Sequence, residues 1–251
     1  MGARERPPGE RPRPHLRRDP GGLRQGALTA ISARSLVDRL RPVLTYPTLR
    51  AAGPDDPDLP WRWADVLAGQ RIGEDPTGPW RSALSASTAR QYAAATPPAM
   101  PAAFVLQWLL EVAAVPAAHA AVHTAHVLDP LRAGLSFALE PRQLYPVVVQ
   151  LREAPVTPML LDERLEAAHA AYLSAATELA LTYRPGVHLG THQRLEMVRD
   201  VWAMAVARAC GQAPPQRGSC CYLYVLPGTH ECTGCPRLRR RPPSPHRRSG
   251  G

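Results

Sequence analysis

The chain has 251 residues and 45% hydrophobic content, enough to bury a substantial core in one large domain or two small ones. Its formal net charge of +9 comes from 30 basic residues, all of them Arg, against 21 acids. Seven Arg against three acids fall in residues 1–25 and six Arg against none in 236–251, which leaves a body near −1 and excludes a uniformly basic nucleic-acid surface.

Both ends are Pro/Arg/Gly/Ser segments with too little apolar surface to fold, so 1–25 and 239–251 are expected to be disordered basic tails. No aromatic residue interleaves with their arginines to stack on bases. The first 25 residues lack the apolar run of an export signal, and none follows Arg17-Arg18 as twin-arginine export requires. The expected location is the cytoplasm, at most peripheral at the inner face of the membrane.

Residues 26–213 predict a helix-rich α+β body. Ile31, Leu36, Val37, Leu40 and Val43 recur at helical spacing over 29–44. Pro54, Asp55, Asp56, Pro57, Asp58 and Pro60 form a turn-rich acidic linker without the ligand spacing, glycine and terminal Glu of a calcium loop. Trp61-Arg62-Trp63 then opens an irregular region with a short helical piece over 64–69. The most apolar run, 99–115, is interrupted by Pro101, Gln107 and Glu111 and stops at Pro116, short of the ~20 clean residues of a membrane span. It predicts a buried core helix. A second helix over 117–125 sets His119 and His123 one turn apart with His126 close by; lacking H-E-x-x-H and a third ligand, they read as surface or core histidines.

After Asp129-Pro130, residues 135–139 and 145–151 read as strands separated by Glu140-Pro141-Arg142, giving a small antiparallel sheet. Two long helices, 161–183 and 189–210, follow across Pro185-Gly186. The second carries Leu195, Val198, Trp202, Val206 and Cys210 on its apolar side, so Cys210 is expected to be a buried small residue.

Pro214 and Pro215 end that helix and deliver the chain to segment 214–238, which holds four of the five cysteines. They are Cys220 and Cys221, then ten residues, Cys232, two residues, and Cys235. Three chemistries use four close cysteines: disulfides, a tetrathiolate zinc site and an iron–sulfur cluster. A reducing cytosol disfavours disulfides. Zinc sites usually take two C-x2-4-C hooks, and only Cys232-Thr233-Gly234-Cys235 is one, whereas extended adjacent cysteines diverge around a single ion. A two-iron cluster accepts sulfurs from different directions, and Pro236 matches the Cys-Pro ending of ferredoxin motifs. A Rieske centre needs two histidines, and His230 is the only one among these cysteines.

C-C-x10-C-x2-C preceded by Arg217 and Ser219 and followed by Tyr222 and Tyr224 resembles the FhuF-like ferric-siderophore reductase family. Residues 102–107 and 135–151 are loosely similar to that family's helical body and strand region. The resemblance implies a [2Fe-2S] cluster held by Cys220, Cys221, Cys232 and Cys235. It also implies one-electron reduction of a ferric siderophore, of the hydroxamate type, that releases Fe(II) in the cytoplasm. Ser219, Thr233 and the amides near Gly234 are candidate donors to sulfur, while Arg217 and His230 set local charge. Tyr222 to Val225 alternate as a short strand, Pro227-Gly228 turns the insert back, and Gly234 permits close approach of the backbone to the cluster. No G-x-G-x-x-G follows a strand and no Lys exists to complete a P-loop, so a ferredoxin or flavin reductase is the expected electron donor. Two other readings remain: a structural zinc module, and an iron or redox sensor, which would lack a recognisable helix-turn-helix.

Overall fold

The computed structural model describes residues 31–240 apart from Pro54, 154–155 and Thr233. The N-terminal tail 1–25, residues 241–251 of the C-terminal one and the expected role of Thr233 therefore lie outside the described residues, while the first two residues of the expected C-terminal tail, 239–240, belong to a 3-10 turn.

Ser32 caps α1 (Ala33–Leu40) by accepting the Ser35 N–H at 3.1 Å, and Pro42 prevents the continuation to residue 44 that the spacing predicts. Then come β1 (Thr48–Ala51), β2 (Trp61–Arg62) and α2 (Trp63–Arg71), so the expected irregular opening is a strand running into a helix. The acidic linker between them is anchored, since Asp58 meets Arg152 at 2.7 Å and Arg62 at 3.3 Å. Helix α3 (Gly78–Tyr92) gave little sign of itself: only Trp80, Leu84 and Thr88 are buried in an otherwise Ala- and Ser-rich stretch.

The two helices expected over 99–115 and 117–125 are one, α4 (Ala99–His123). Pro116 sits inside it without an N–H to donate, a local cost of about 3 kcal/mol. Burial of Val115, Pro116, Ala117 and Ala118 on both sides of the break outweighs that cost and carries the helix through. Among the described residues α4 alone is long and apolar enough to cross a membrane, and 72% of its apolar window is buried within the body. His119 is 2% exposed with neither ring nitrogen hydrogen-bonded, and burial, His123 and Arg208 lower its pKa to about 4. It is a neutral core histidine, whereas His123 is exposed.

Strands β3 (His126–Leu128), β4 (Ser136–Leu139), β5 (Pro146–Leu151) and β6 (Val156–Pro158) follow. The predicted β4–β5 antiparallel hairpin is present, but β1 joins β5 in parallel and β2 joins β4. The four-stranded sheet, ordered β1-β5-β4-β2, is therefore mixed and not purely antiparallel; β3 and β6 form a separate antiparallel pair. Phe137 packs among Trp61 and Trp80, and Trp80 continues to Trp108 and Phe104 on α3 and α4. The indole N–H groups of Trp63 and Trp80 are satisfied by the Leu109 and Leu144 carbonyls at 2.9 and 2.8 Å.

Helices α5 (Leu161–Thr182) and α6 (Thr191–Ala209) lie close to their expected bounds, and both pack along α4. Small side chains such as Ala113, Ala114 and Ala205 let the axes approach. The chain has a helix-rich α+β fold whose last helix leads directly into the cysteine segment.

Candidate metal centre

Helix α6 stops where Gly211 adopts φ +64°, a left-handed position that frees the last carbonyls for the Cys210, Gly211 and Gln212 N–H groups. Cys210 is thus the C-cap and is exposed, not the buried helical residue expected. Its position after the last buried turn removes the packing that the periodicity promised.

The chain then folds back along α6. Asp200 accepts the Gly218 N–H at 2.8 Å, the Ser219 N–H at 2.7 Å and the Ser219 hydroxyl at 2.5 Å. The Arg217 guanidinium Nε lies 3.9 Å from the same carboxylate, and all of Arg217, Ser219 and Asp200 are buried. Two turns earlier Gln193 donates to the Cys220 carbonyl at 2.8 Å and accepts the Tyr222 hydroxyl at 2.7 Å. From the α4 side, Gln107 accepts from Arg217 Nη2 at 2.9 Å and donates to Glu111 at 2.9 Å. Residues 217–222 are therefore held between two core helices.

The second half of the motif is tied to the first through its backbone. Arg217 N–H donates to the Gly234 carbonyl at 2.9 Å, and the Gln216 side-chain amide donates to the Cys235 carbonyl at 3.1 Å. Gly234 has φ +81°, and a Cβ there would sit 3.0 Å from the Pro215 carbonyl oxygen. The close approach at this glycine is to the 215–217 backbone, a different neighbour from the cluster expected. Within the insert, Leu223–Val225 is a 3-10 turn and not the strand expected, because Tyr222 at φ +62° reverses the chain.

Cys221 and Cys235 are buried, Cys220 and Cys232 half-buried, and none forms a disulfide. The Cys220 thiol and the Cys232 thiol each lie within electrostatic reach of Cys221 and Cys235. Burial, then the neighbouring thiols, raise Cys220; burial and Cys221 push Cys232 up to about 11, against the opposing field of Arg217. Among the described residues no group of three or more His, Cys, Asp or Glu side chains is arranged to hold a metal ion. The four thiols nevertheless share one neighbourhood.

Sulfur has a different donor from those expected: the Tyr222 N–H points to Cys220 Sγ at 3.4 Å, while the Ser219 hydroxyl donates to Asp200. The Arg217 charge acts on Cys232, and His230 is exposed. A cavity of about 520 Å³ opens beside Cys220, lined by His192, Gln193, Tyr222, Tyr224, Glu231 and Arg237 among others. The Arg237 guanidinium lies 4.1 Å from the Tyr224 ring centroid and 3.9 Å from Glu231.

Asp200, Gln193 and Gln107 were not legible as site residues. The available signal was a polar stripe of Gln193, Glu196 and Asp200 recurring at helical spacing on a helix whose opposite face is apolar. Comparison with known protein families, curated proteins and solved structures finds no match.

Proposed function

We propose that this chain is a [2Fe-2S] ferric-siderophore reductase of the cytoplasm. The observation that carries the reading is the gathering of the four motif thiols into one neighbourhood, in a segment clamped between α4 and α6. Four thiolates of which two are chain neighbours fit a two-iron cluster, which takes two on each metal, better than zinc, which calls all four sulfurs to one point. Cys220, Cys221, Cys232 and Cys235 would hold the cluster. When bound it supplies one electron at a time to a ferric chelate, whose hard oxygen donors hold the resulting Fe(II) far less well.

The protein's own residues bind and orient. Asp200 and Gln193 fix the loop carrying Cys220 and Cys221. The buried Arg217 and the Tyr222 N–H favour thiolate over thiol, one through its field on Cys232 and one by hydrogen bonding to Cys220. The cavity admits a chelate against Cys220. Its Arg237 and Glu231 charges offset each other, which suits a complex of low net charge such as a ferric trihydroxamate. A ferredoxin or flavin reductase supplies the electron.

Visible and paramagnetic-resonance spectra of anaerobically purified protein test the reading. A red-brown protein whose visible bands bleach on reduction, with a reduced-state signal, supports it. Colourless protein containing stoichiometric zinc overturns it in favour of a structural module.

A further inference from the structure

Of the four motif cysteines, Cys220 alone stands in the wall of the cavity of about 520 Å³. Beside it the lining carries one acid and one guanidinium, Glu231 and Arg237, together with His192 and uncharged groups. The two charges meet at 3.9 Å, and Glu231 is the more enclosed, with 18% of its side chain exposed against 52% for Arg237. Arg237 does not depend on that pairing for its place. Its guanidinium stacks 4.1 Å from the Tyr224 ring centroid and donates to the Tyr224 hydroxyl at 3.1 Å, so Tyr224 holds it on the wall whatever stands at position 231. Glu231 therefore decides whether the wall beside Cys220 is neutral or cationic.

We propose that Glu231 is the specificity-determining residue of this cavity: by neutralising Arg237 it bars anionic ferric chelates from the Cys220 wall and leaves the site to uncharged ones. The inference rests on the reading of the cavity as the chelate site. A chelate that enters gives up part of its water, and a charged one recovers that loss only against an opposite charge on the wall. With the ion pair in place the wall offers no net charge, and an anion also meets the Glu231 carboxylate at close range, where like charges cost about tenfold in affinity. The negative charge of four thiolates acts in the same direction and is common to every variant, so a ratio of affinities cancels it.

The test is calorimetric titration of the anaerobically purified protein with gallium(III) complexes of one linear trihydroxamate whose terminal amine is acetylated or succinylated, which gives a neutral and an anionic chelate on the same skeleton. Gallium(III) matches iron(III) in charge and size and takes no electron, so binding is read without turnover. The parent should bind the neutral complex about tenfold or more tighter than the anionic one. Glu231→Gln should erase that preference, Glu231→Asp should keep it and Arg237→Gln should widen it. A neutral-to-anionic ratio that is the same in the parent, Glu231→Gln and Arg237→Gln overturns the proposal, as does failure of both gallium complexes to bind. Ratios that shift as expected, in a protein whose reduced cluster the ferric counterparts do not reoxidise, uphold the selector and remove only the reductase reading. Reoxidation by the ferric counterparts with unshifted ratios leaves the reductase standing and removes the selector.

Discussion

Asp200 on α6 and Ser219 beside Cys220 are joined twice, the Ser219 N–H and hydroxyl both donating to one carboxylate oxygen at 2.7 and 2.5 Å. With the Gly218 N–H and the nearby Arg217, this single acid holds the loop that presents the adjacent cysteines. Removing it strands a buried guanidinium, a loss of about 3–5 kcal/mol. Asp200→Ala should lower the melting temperature and the iron content together. Asp200→Asn, which keeps an acceptor, should lose less of both. An Asp200→Ala protein that melts and loads iron like the parent would show that the loop does not depend on this clamp.

The four motif cysteines should be individually required and Cys210 dispensable. Replacing Cys220, Cys221, Cys232 or Cys235 by Ser should abolish or strongly alter the reduced-state resonance signal. Cys210→Ser should leave it intact, because Cys210 is an exposed helix cap outside the motif's spacing. Dependence on Cys210 with indifference to Cys220 would sink the ligand set.

Helix α4 offers a pH-dependent check on the Arg217 network. Burial, partly relieved by Gln107, Arg208 and Arg217, holds the Glu111 carboxyl above its ordinary range. The folded state therefore keeps that proton more tightly than the unfolded chain, and stability is lost as pH rises through the raised value. Glu111→Gln removes the penalty while leaving an acceptor for Gln107. Thermal unfolding should show the variant more stable than the parent at neutral pH, with the gap closing below the ordinary carboxylate range. A gap independent of pH would mean that Glu111 titrates alike in the folded and unfolded chain, so that the fold does not raise it.

The sequence made some of this architecture readable for definite physical reasons. The helices α5 and α6 and the β4–β5 hairpin have sustained periodicity and turn residues between them, and each appears near its expected bounds. The break at Pro116 was misread because local propensity disfavours proline within a helix, while the burial that overrides it comes from distant parts of the chain. Strand β1 has four residues and is fixed by parallel pairing with β5 about a hundred positions away, which no local pattern announces. In the site, the cysteines declared themselves by rarity and spacing. The groups that hold them did not, because Asp200, Gln193 and Gln107 are ordinary polar helix residues until the segment folds back over them.

Gly234 should resist substitution. Its φ of +81° strains any side chain, and an added Cβ would press on the Pro215 carbonyl at 3.0 Å, a backbone atom that cannot swing away. Gly234→Ala should destabilise the protein by about 1–3 kcal/mol and weaken cluster retention, measured by denaturant unfolding and by iron released to a chelator. Unchanged unfolding would show that the 215–217 and 234–235 segments are not held in this register.

The most direct test of the central claim is a single-turnover experiment. Dithionite-reduced, desalted protein is mixed anaerobically with a ferric hydroxamate and a ferrous trap, with the Cys232→Ser protein as control for stray reductant. The account predicts that the cluster reoxidises, that trapped Fe(II) appears in the amount of one electron per cluster, and that the rate differs between siderophores. A cluster that stays reduced in the presence of every ferric chelate tried, weak ones included, would contradict it.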